Sequence, residues 1–136
     1  MQQIEEGLTP ALDFEKLARS VGSTQVIPVV VQDAESKEVL ILAFVNQIAL
    51  AKTFETRIVT FWSTTRNELW VKGDTSGNRL HLIEARVNCE QNSLLFLVRL
   101  EGSGACHTRK SNGDYRKSCF YRTFDGKNLM HISGKI

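Results

Sequence analysis

The stretch LHLIEARVNCEQNSLLFLVRL, residues 80–100, decides the fold of this chain. Its first part alternates between two faces, with Ile83, Ala85, Val87 and Cys89 on one and Glu84, Arg86, Asn88 and Glu90 on the other. Its second part, SLLFLVRL, is almost wholly apolar. Alternation predicts a strand with one buried face, and a short apolar run predicts a central strand buried on both faces.

The flanking sequence predicts more strands joined by tight turns. VIPVVVQ (26–32) and EVLILAFV (38–45) form one expected hairpin, and Pro28 places the first strand at an edge or near a strand start. IVTFWS and ELWVK flank the turn TTRN, and CFYRTF and NLMHIS flank DGKN. Each pair therefore predicts a further hairpin.

Helical patterns occur only before this strand-rich part. Thr9 and Pro10 are typical of a helix start, and apolar residues at helical spacing follow them up to Val21. Asn46 can cap a short helix whose inner side would carry Ile48, Ala51 and Phe54. We predict a single α+β domain over residues 1–136, with a mostly antiparallel or mixed, barrel-like sheet and one or two N-terminal helices.

Composition restricts the classes of function. The chain has 136 residues, of which 42% are hydrophobic and 24% charged, which suits one packed soluble domain. Its net charge is only +2 and it has no long basic run, so nucleic-acid binding is not expected. It has no apolar stretch of membrane-spanning length and no signal-peptide pattern at its N-terminus, so a cytoplasmic location without membrane contact is expected.

Three cysteines are the first candidates for chemistry. Sixteen residues separate Cys89 from Cys106, and twelve separate Cys106 from Cys119. An odd number of cysteines in a reducing compartment disfavours a disulfide framework. No pair has the two-residue gap of a zinc knuckle, so metal binding and simple burial both remain open. The polar, glycine-flanked sequence around Cys106 favours metal binding.

Three thiolates and one histidine would suit a hydrolytic zinc site. Zinc prefers four ligands, so three protein ligands leave one position for a water that can serve as a nucleophile. His107 could be a fourth ligand or a general acid or base, or it could be a solvated loop histidine.

The glycine-containing loop after Lys72 is a candidate for phosphate binding. Thr75, Ser76, Gly77 and Asn78 lie in it, and such residues offer close backbone approach and hydrogen-bond donors. Arg66 could add a charge and Trp70 a stacking surface. The alternatives are a plain surface loop and a core tryptophan.

Polar side chains bracket the first cysteine. Asn88, Glu90 and Asn92 could hold a hard cation, or they could form the turn between two strands. In an extended strand, Cys89 points away from Asn88 and Glu90. Metal chemistry here would therefore need two sites, a bend in the strand or a second subunit.

Four segments together resemble one enzyme family. They are FWSTTRNELWVKGDTSGN (61–78), VNCEQNSLLFLV (87–98), GACHT (104–108) and SCFYR (118–122). In order and spacing they resemble phosphoribosyl-AMP cyclohydrolases of histidine biosynthesis, and the resemblance extends from about Val26 to Arg122.

The resemblance implies a zinc-dependent hydrolase that opens the adenine ring of N1-(5-phosphoribosyl)-AMP at the N1–C6 bond. It also implies an intertwined homodimer, a zinc ion held by cysteines of both subunits at positions matching Cys89, Cys106 and Cys119, and a requirement for magnesium. It implies a catalytic role for His107 and substrate contacts by Thr75 to Asn78. The alternatives are a related zinc hydrolase of another N-alkylated purine or nucleotide ring, and a catalytically silent nucleotide-binding module.

The sequence departs from the family pattern at three places. Asn88, Glu90 and Asn92 stand where the family usually has magnesium-binding aspartates, so we expect weaker magnesium binding. The gap between Cys106 and Cys119 is longer than is usual, and its Asn-Gly pair predicts a looped extension that leaves both thiols in place. Thr64 replaces a usual arginine, a charge for which Arg66 could compensate.

Overall fold

The structure is a computed structural model that describes residues 3–10 and 25–136. Its helices are α1 (Gln3–Glu6) and α2 (Gln47–Thr56). Its strands are β1 (Ile27–Asp33), β2 (Val39–Val45), β3 (Thr60–Ser63), β4 (Glu68–Val71), β5 (Leu80–Val87), β6 (Leu94–Leu100), β7 (Arg122–Phe124) and β8 (Leu129–His131). The predicted strand-rich α+β class is confirmed. The helix expected to follow Thr9 and Pro10 falls on residues outside the described ranges.

The central sheet has four strands in the order β2-β1-β6-β5. Strand β1 runs antiparallel to β2 and parallel to β6, and β6 runs antiparallel to β5, so the sheet is mixed as predicted. The apolar strand β6 lies inside the sheet, which confirms its prediction as a central strand. The hairpins β3–β4 and β7–β8 form two separate two-stranded sheets.

The barrel-like expectation is wrong for the part of the chain that the structure describes. Its largest sheet is open, with β2 and β5 as edge strands. A closed, packed barrel takes about eight strands, and four cannot curl far enough to meet.

The alternation of β5 is interrupted at Ile83. The pairing register shifts between Leu82, opposite Val98, and Glu84, opposite Leu97. Ile83 is therefore an extra residue and is 52% exposed, which corrects the prediction that it shares a face with Ala85. Period-two reasoning cannot detect such a bulge, because one inserted residue moves all later side chains to the opposite face.

Helix α2 begins at its predicted cap but buries a different face. The N–H of Ala49 donates to Asn46 Oδ1 at 2.8 Å. The buried side chains are Ala49 and Thr53, whereas Ile48 and Phe54 are exposed, so the predicted inner face is wrong. The cause is a hydrogen bond, in which Thr53 Oγ1 accepts from the N–H of Thr60 at 2.9 Å. This bond holds the face of α2 that carries Thr53 against β3.

The core lies between the central sheet and the β3–β4 hairpin. Its largest fully buried side chains are the aromatic rings Phe61 and Phe96 and the aliphatic chains Leu40, Leu80, Val29, Val31, Val45, Val59 and Val98. Ala105, just before the second cysteine, belongs to the same cluster, which seats the candidate site against the core. No helix in the described ranges has the length and apolar character needed to span a membrane.

Candidate functional site

Two short backbone segments hold the thiol region together. The N–H of Cys106 donates to the carbonyl of Arg116 at 3.1 Å, and the N–H of Arg116 donates to the carbonyl of Thr108 at 3.0 Å. A Cβ at Gly104 would lie 2.2 Å from the Arg116 carbonyl oxygen, so only glycine permits this approach. The segments 104–108 and 116–117 therefore form a fixed two-stranded ribbon around Cys106, the thiol ribbon.

The other thiol is tied to the edge of the central sheet. The N–H of Cys119 donates to the carbonyl of Leu40 at 2.7 Å, and Ser118 Oγ donates to the carbonyl of Val39 at 2.7 Å. Because Leu40 and Val39 belong to β2, the sheet itself sets the position of Cys119.

The long segment between these two cysteines folds on itself. The N–H of Lys110 donates to the carbonyl of Asp114 at 2.8 Å, and Gly113 has a φ of 93° that suits a tight turn. The guanidinium of Arg109 lies 4.1 Å from the ring centre of Tyr115 and donates to its hydroxyl at 2.7 Å. The segment is a small hairpin that leaves the ribbon intact, as expected for a looped extension.

The two thiols are electrostatically unequal. The pKa of Cys106 is lowered to about 5, chiefly by a hydrogen bond from Cys119, with further help from Thr108 and the charge of His107, and against the effect of burial. The pKa of Cys119 is raised by its bond to Cys106, by burial and by the Cys106 charge. The interaction between the two sulfurs therefore favours negative charge on Cys106 and a bound proton on Cys119.

Two polar residues complete the surroundings of this pair. Thr108 Oγ1 lies 2.9 Å from Cys106 Sγ, and its N–H donates to the same sulfur at 3.4 Å. Lys72 is only 5% exposed, and burial lowers its pKa while the charges of Cys119 and Cys106 oppose that shift. A buried cation beside two thiols stabilises negative charge on them.

The third cysteine lies in a different environment. Cys89 follows β5 and is exposed, whereas Cys106 is buried and Cys119 is half-buried. Among the described residues, no three His, Cys, Asp or Glu side chains come together as a metal site within one chain. Thus one chain presents a thiol pair, and Cys89 does not complete a cluster with it.

Asn88 and Asn92 bind each other in the turn between β5 and β6. Asn88 Nδ2 donates to Asn92 Oδ1 at 2.7 Å, and Asn88 Oδ1 accepts from the N–H of Asn92 at 2.9 Å and of Ser93 at 3.0 Å. Gln91 has a φ of 55°, as a tight turn requires. Glu90 is exposed there. The predicted magnesium residues thus lie together in one turn, where the two amides satisfy one another.

His107 projects from the ribbon and meets the N-terminal segment. Its side chain is 73% exposed, and its Nε2 contacts a carboxylate oxygen of Glu5. A cavity of about 530 Å³ opens beside it. The lining combines both histidines of this region with basic, hydroxyl and acidic side chains: His107, His131, Arg109, Arg116, Thr108 and Glu6.

The predicted phosphate loop contains one buried and unsatisfied donor. Thr75 and Ser76 are exposed, and Gly77 has a φ of 81°. Asn78 is 6% exposed, and its side-chain N–H₂ group has no hydrogen-bond partner among the residues that the structure describes. An unsatisfied buried amide is costly, so a ligand that accepted a hydrogen bond from this group would remove that cost.

The remaining predicted substrate residues do not all converge. Trp70 packs against Phe61 with ring centres 5.4 Å apart, and its ring faces the ammonium of Lys72 at the same distance. Arg66 lies in the turn before β4 and pairs with Glu68 at 3.5 Å, both being well exposed. Since β4 separates Arg66 from Lys72, the substrate role of Arg66 stays a prediction.

Comparison with known proteins supplies the family. The family model described as phosphoribosyl-AMP cyclohydrolase matches residues 41–121, which include all three cysteines and His107. The chain belongs to the phosphoribosyl-AMP cyclohydrolase family. The resemblance drawn from the four sequence segments is thereby confirmed.

Individual cyclohydrolases match over most of their length. The phosphoribosyl-AMP cyclohydrolase of Methanosarcina barkeri is 48% identical over 120 residues, which is 88% of this chain and 85% of that protein. Those of Hyphomonas neptunium and Haloquadratum walsbyi are 47% and 41% identical, over 81% and 92% of this chain and 78% and 89% of their own lengths.

Sequence reasoning missed two residues that contact the predicted site residues Cys106 and His107. Thr108 contacts Cys106 through both its hydroxyl and its N–H, and its position two residues after a candidate ligand was a usable signal. Glu5 contacts His107 from 102 residues away in the chain, and no local pattern points to such a contact.

Proposed function

We propose that this chain hydrolyses N1-(5-phosphoribosyl)-AMP, opening its adenine ring at the N1–C6 bond with the help of zinc. The observation that carries the proposal is the thiol pair Cys106–Cys119, with its lowered pKa at Cys106 and its neighbours Lys72 and His107, in a chain of the cyclohydrolase family. Thiolates are the ligands that zinc prefers, so the donor set fits this metal.

Cys106 and Cys119 of one subunit and Cys89 of another would hold the zinc. Two thiols already lie together, with the pKa of Cys106 lowered, while Cys89 is exposed where another copy could reach it. When bound in this way, zinc supplies a nucleophile from water near neutral pH.

We therefore infer that the active form is a homodimer. Large apolar side chains are exposed near each part of the divided zinc site, and patches of this kind mark interaction surfaces. On the Cys89 side, Val87 precedes the cysteine by two residues and Ile83 lies farther back along β5. On the Cys119 side, Phe120 follows the cysteine directly and Leu42 lies in β2, the strand that binds Cys119. Burying both patches together would join Cys89 of one copy to the thiol pair of the other.

The remaining residues bind substrate and handle protons. The unpartnered amide of Asn78 and the neighbouring loop Thr75–Gly77 would bind a phosphate of the substrate, and Trp70 and Lys72 would flank it. His107 borders the open cavity, where it can donate or accept a proton as the N1–C6 bond breaks.

Magnesium is the second ion that we propose, held weakly at the β5–β6 turn. Glu90 supplies the only formal charge there, since the usual aspartates are replaced by Asn88 and Asn92. Hard cations bind carboxylates more tightly than amide oxygens, so the affinity should be low.

The test is a metal analysis joined to an activity assay. We expect near-stoichiometric zinc and opening of the adenine ring of phosphoribosyl-AMP, which ultraviolet absorbance can monitor. A His107→Ala variant should keep its zinc but react about 100-fold more slowly. Zinc-loaded protein that leaves this substrate unchanged, with or without magnesium, would contradict the proposal. A preference for another N-alkylated purine would instead favour a related hydrolase.

A further inference from the structure

We propose that Glu5 is a positioning residue for His107 and that residues 5–8 form a strap that holds this carboxylate at the imidazole. The inference rests on the proposed function, because it assigns the strap to the reaction of that site. The contact joins Glu5, near the N-terminus, to a histidine that follows the buried thiol Cys106.

The strap is anchored through its backbone. The hydroxyl of Tyr121 donates to the carbonyl of Glu5 at 2.5 Å, and Arg122 donates to the carbonyl of Gly7 at 2.6 Å. These bonds use main-chain atoms, so they do not depend on the side chain of Glu5. A change of that side chain should therefore leave the strap in place.

A buried ion pair fixes the strap to the thiol ribbon. Arg116 is only 2% exposed and donates to both carboxylate oxygens of Glu6, at 2.6 and 3.0 Å. The backbone of Arg116 also bonds Cys106 and Thr108. The same residue thus connects the N-terminal segment with the segment that carries the thiol.

The anchored strap limits the freedom of an otherwise exposed histidine. Because a carboxylate only accepts, His107 Nε2 must be the donor, which leaves Nδ1 as the free acceptor when the ring is neutral. An exposed pair of this kind adds little to stability. Its value lies in orientation, since the strap has already ordered the carboxylate before substrate binds.

The kinetic test uses the full-length zinc protein with Glu5→Ala and Glu5→Gln variants. We expect Glu5→Ala to lower kcat by about tenfold with KM little changed, as removal of a carboxylate that orients a functional histidine commonly does. Glu5→Gln keeps an acceptor and should retain more activity. Glu35→Ala, an exposed glutamate in the β1–β2 turn, is the matched control and should behave as the unchanged chain does.

A double variant separates positioning from a general structural effect. In the His107→Ala background, Glu5→Ala should have no further effect, because both changes disable the same unit. Equal losses in both backgrounds would overturn the proposal, as would an unchanged kcat in Glu5→Ala.

A readout that does not depend on turnover is the ¹⁵N spectrum of the His107 ring. At a pH where the ring is neutral, the unchanged zinc protein should show the Nε2–H form, and Glu5→Ala should shift it to a mixture of tautomers. Identical ring spectra would overturn the proposal. The unchanged chain could leave phosphoribosyl-AMP intact while Glu5→Ala still shifted the His107 spectrum. In that case the proposed function and the catalytic role of the strap would be rejected, and only the contact between Glu5 and His107 would stand.

Discussion

Cysteine thiols lie in two contrasting environments in this chain. One is the region around Cys106 and Cys119, and the other is the turn around Cys89. The first is a backbone ribbon seated against the core, with a hydrogen bond between the thiols and a lowered pKa at Cys106. The second is an exposed turn whose amides Asn88 and Asn92 bind each other.

This contrast matters for the proposed zinc site, whose ligands would come from both environments. Hydrogen bonds lower the pKa of Cys106 against the effect of burial, and the groups that make them come from separate parts of the fold. Cys89 is exposed, and among the described residues no comparable set of contacts surrounds it. The proposed metal site would therefore take two of its ligands from this thiol pair and the third from the exposed turn.

The largest effect should come from comparing Cys106→Ser with Cys89→Ser. Each should remove zinc and lower activity by at least about 100-fold, since each deletes a proposed ligand. In zinc-free protein the two should differ: Cys106→Ser should lower the free energy of unfolding by about 1–2 kcal/mol, and Cys89→Ser by less than about 0.5 kcal/mol. Urea unfolding and metal analysis check both. Normal zinc content in either variant would remove that cysteine from the ligand set.

A smaller effect is expected from Glu6→Gln, which weakens the support of the thiol ribbon. Because the variant loses the ion pair between Glu6 and Arg116, its free energy of unfolding should be lower by about 1–3 kcal/mol at pH 7. Arg116 lowers the pKa of Glu6 below its usual 4.5, so this contribution is present above pH 4.5 and is lost as pH falls through the lowered value. Urea unfolding at several pH values should therefore show the two proteins converging in acid. A constant difference at all pH values would contradict the assignment.

The smallest effect should come from the exposed turn. Changing Asn88→Asp and Asn92→Asp together removes the hydrogen bond between their side-chain amides and places two negative charges side by side. Without magnesium, this should lower the free energy of unfolding by about 1 kcal/mol. Magnesium should reverse this loss and bind more tightly than to the unchanged chain. If magnesium changed neither stability nor binding, the ion would have to bind elsewhere or be unused.

The sequence predicted the strands better than it predicted which faces are buried. The apolar run of β6 and the hairpin turns were sufficient to place these elements, because local patterns carry that information. The bulge at Ile83 and the buried Thr53 of α2 were missed, since each depends on a partner outside its own helix or strand.

The candidate site shows the same division. The cysteines, His107 and the loop ending at Asn78 could be predicted as site residues because their types and order carry the family pattern, which the family match confirms. The lowered pKa of Cys106 and the contact of Glu5 were not predictable, because they arise only when distant segments meet. The expectation that one ion cannot take both Cys89 and the Asn88 and Glu90 side chains of the same chain stays a prediction, and the sharing of Cys89 between subunits stays a proposal.

The most direct test of the divided site is to combine two inactive variants. Cys89→Ser and Cys106→Ser should each be inactive alone, but subunits mixed by co-refolding should form heterodimers in which one site keeps all three cysteines. Random association makes about half of the dimers mixed, each with one intact site of two, so about one quarter of the zinc and activity should return. A mixture that stays inactive, although mass spectrometry shows the heterodimer, would contradict a zinc site shared between subunits.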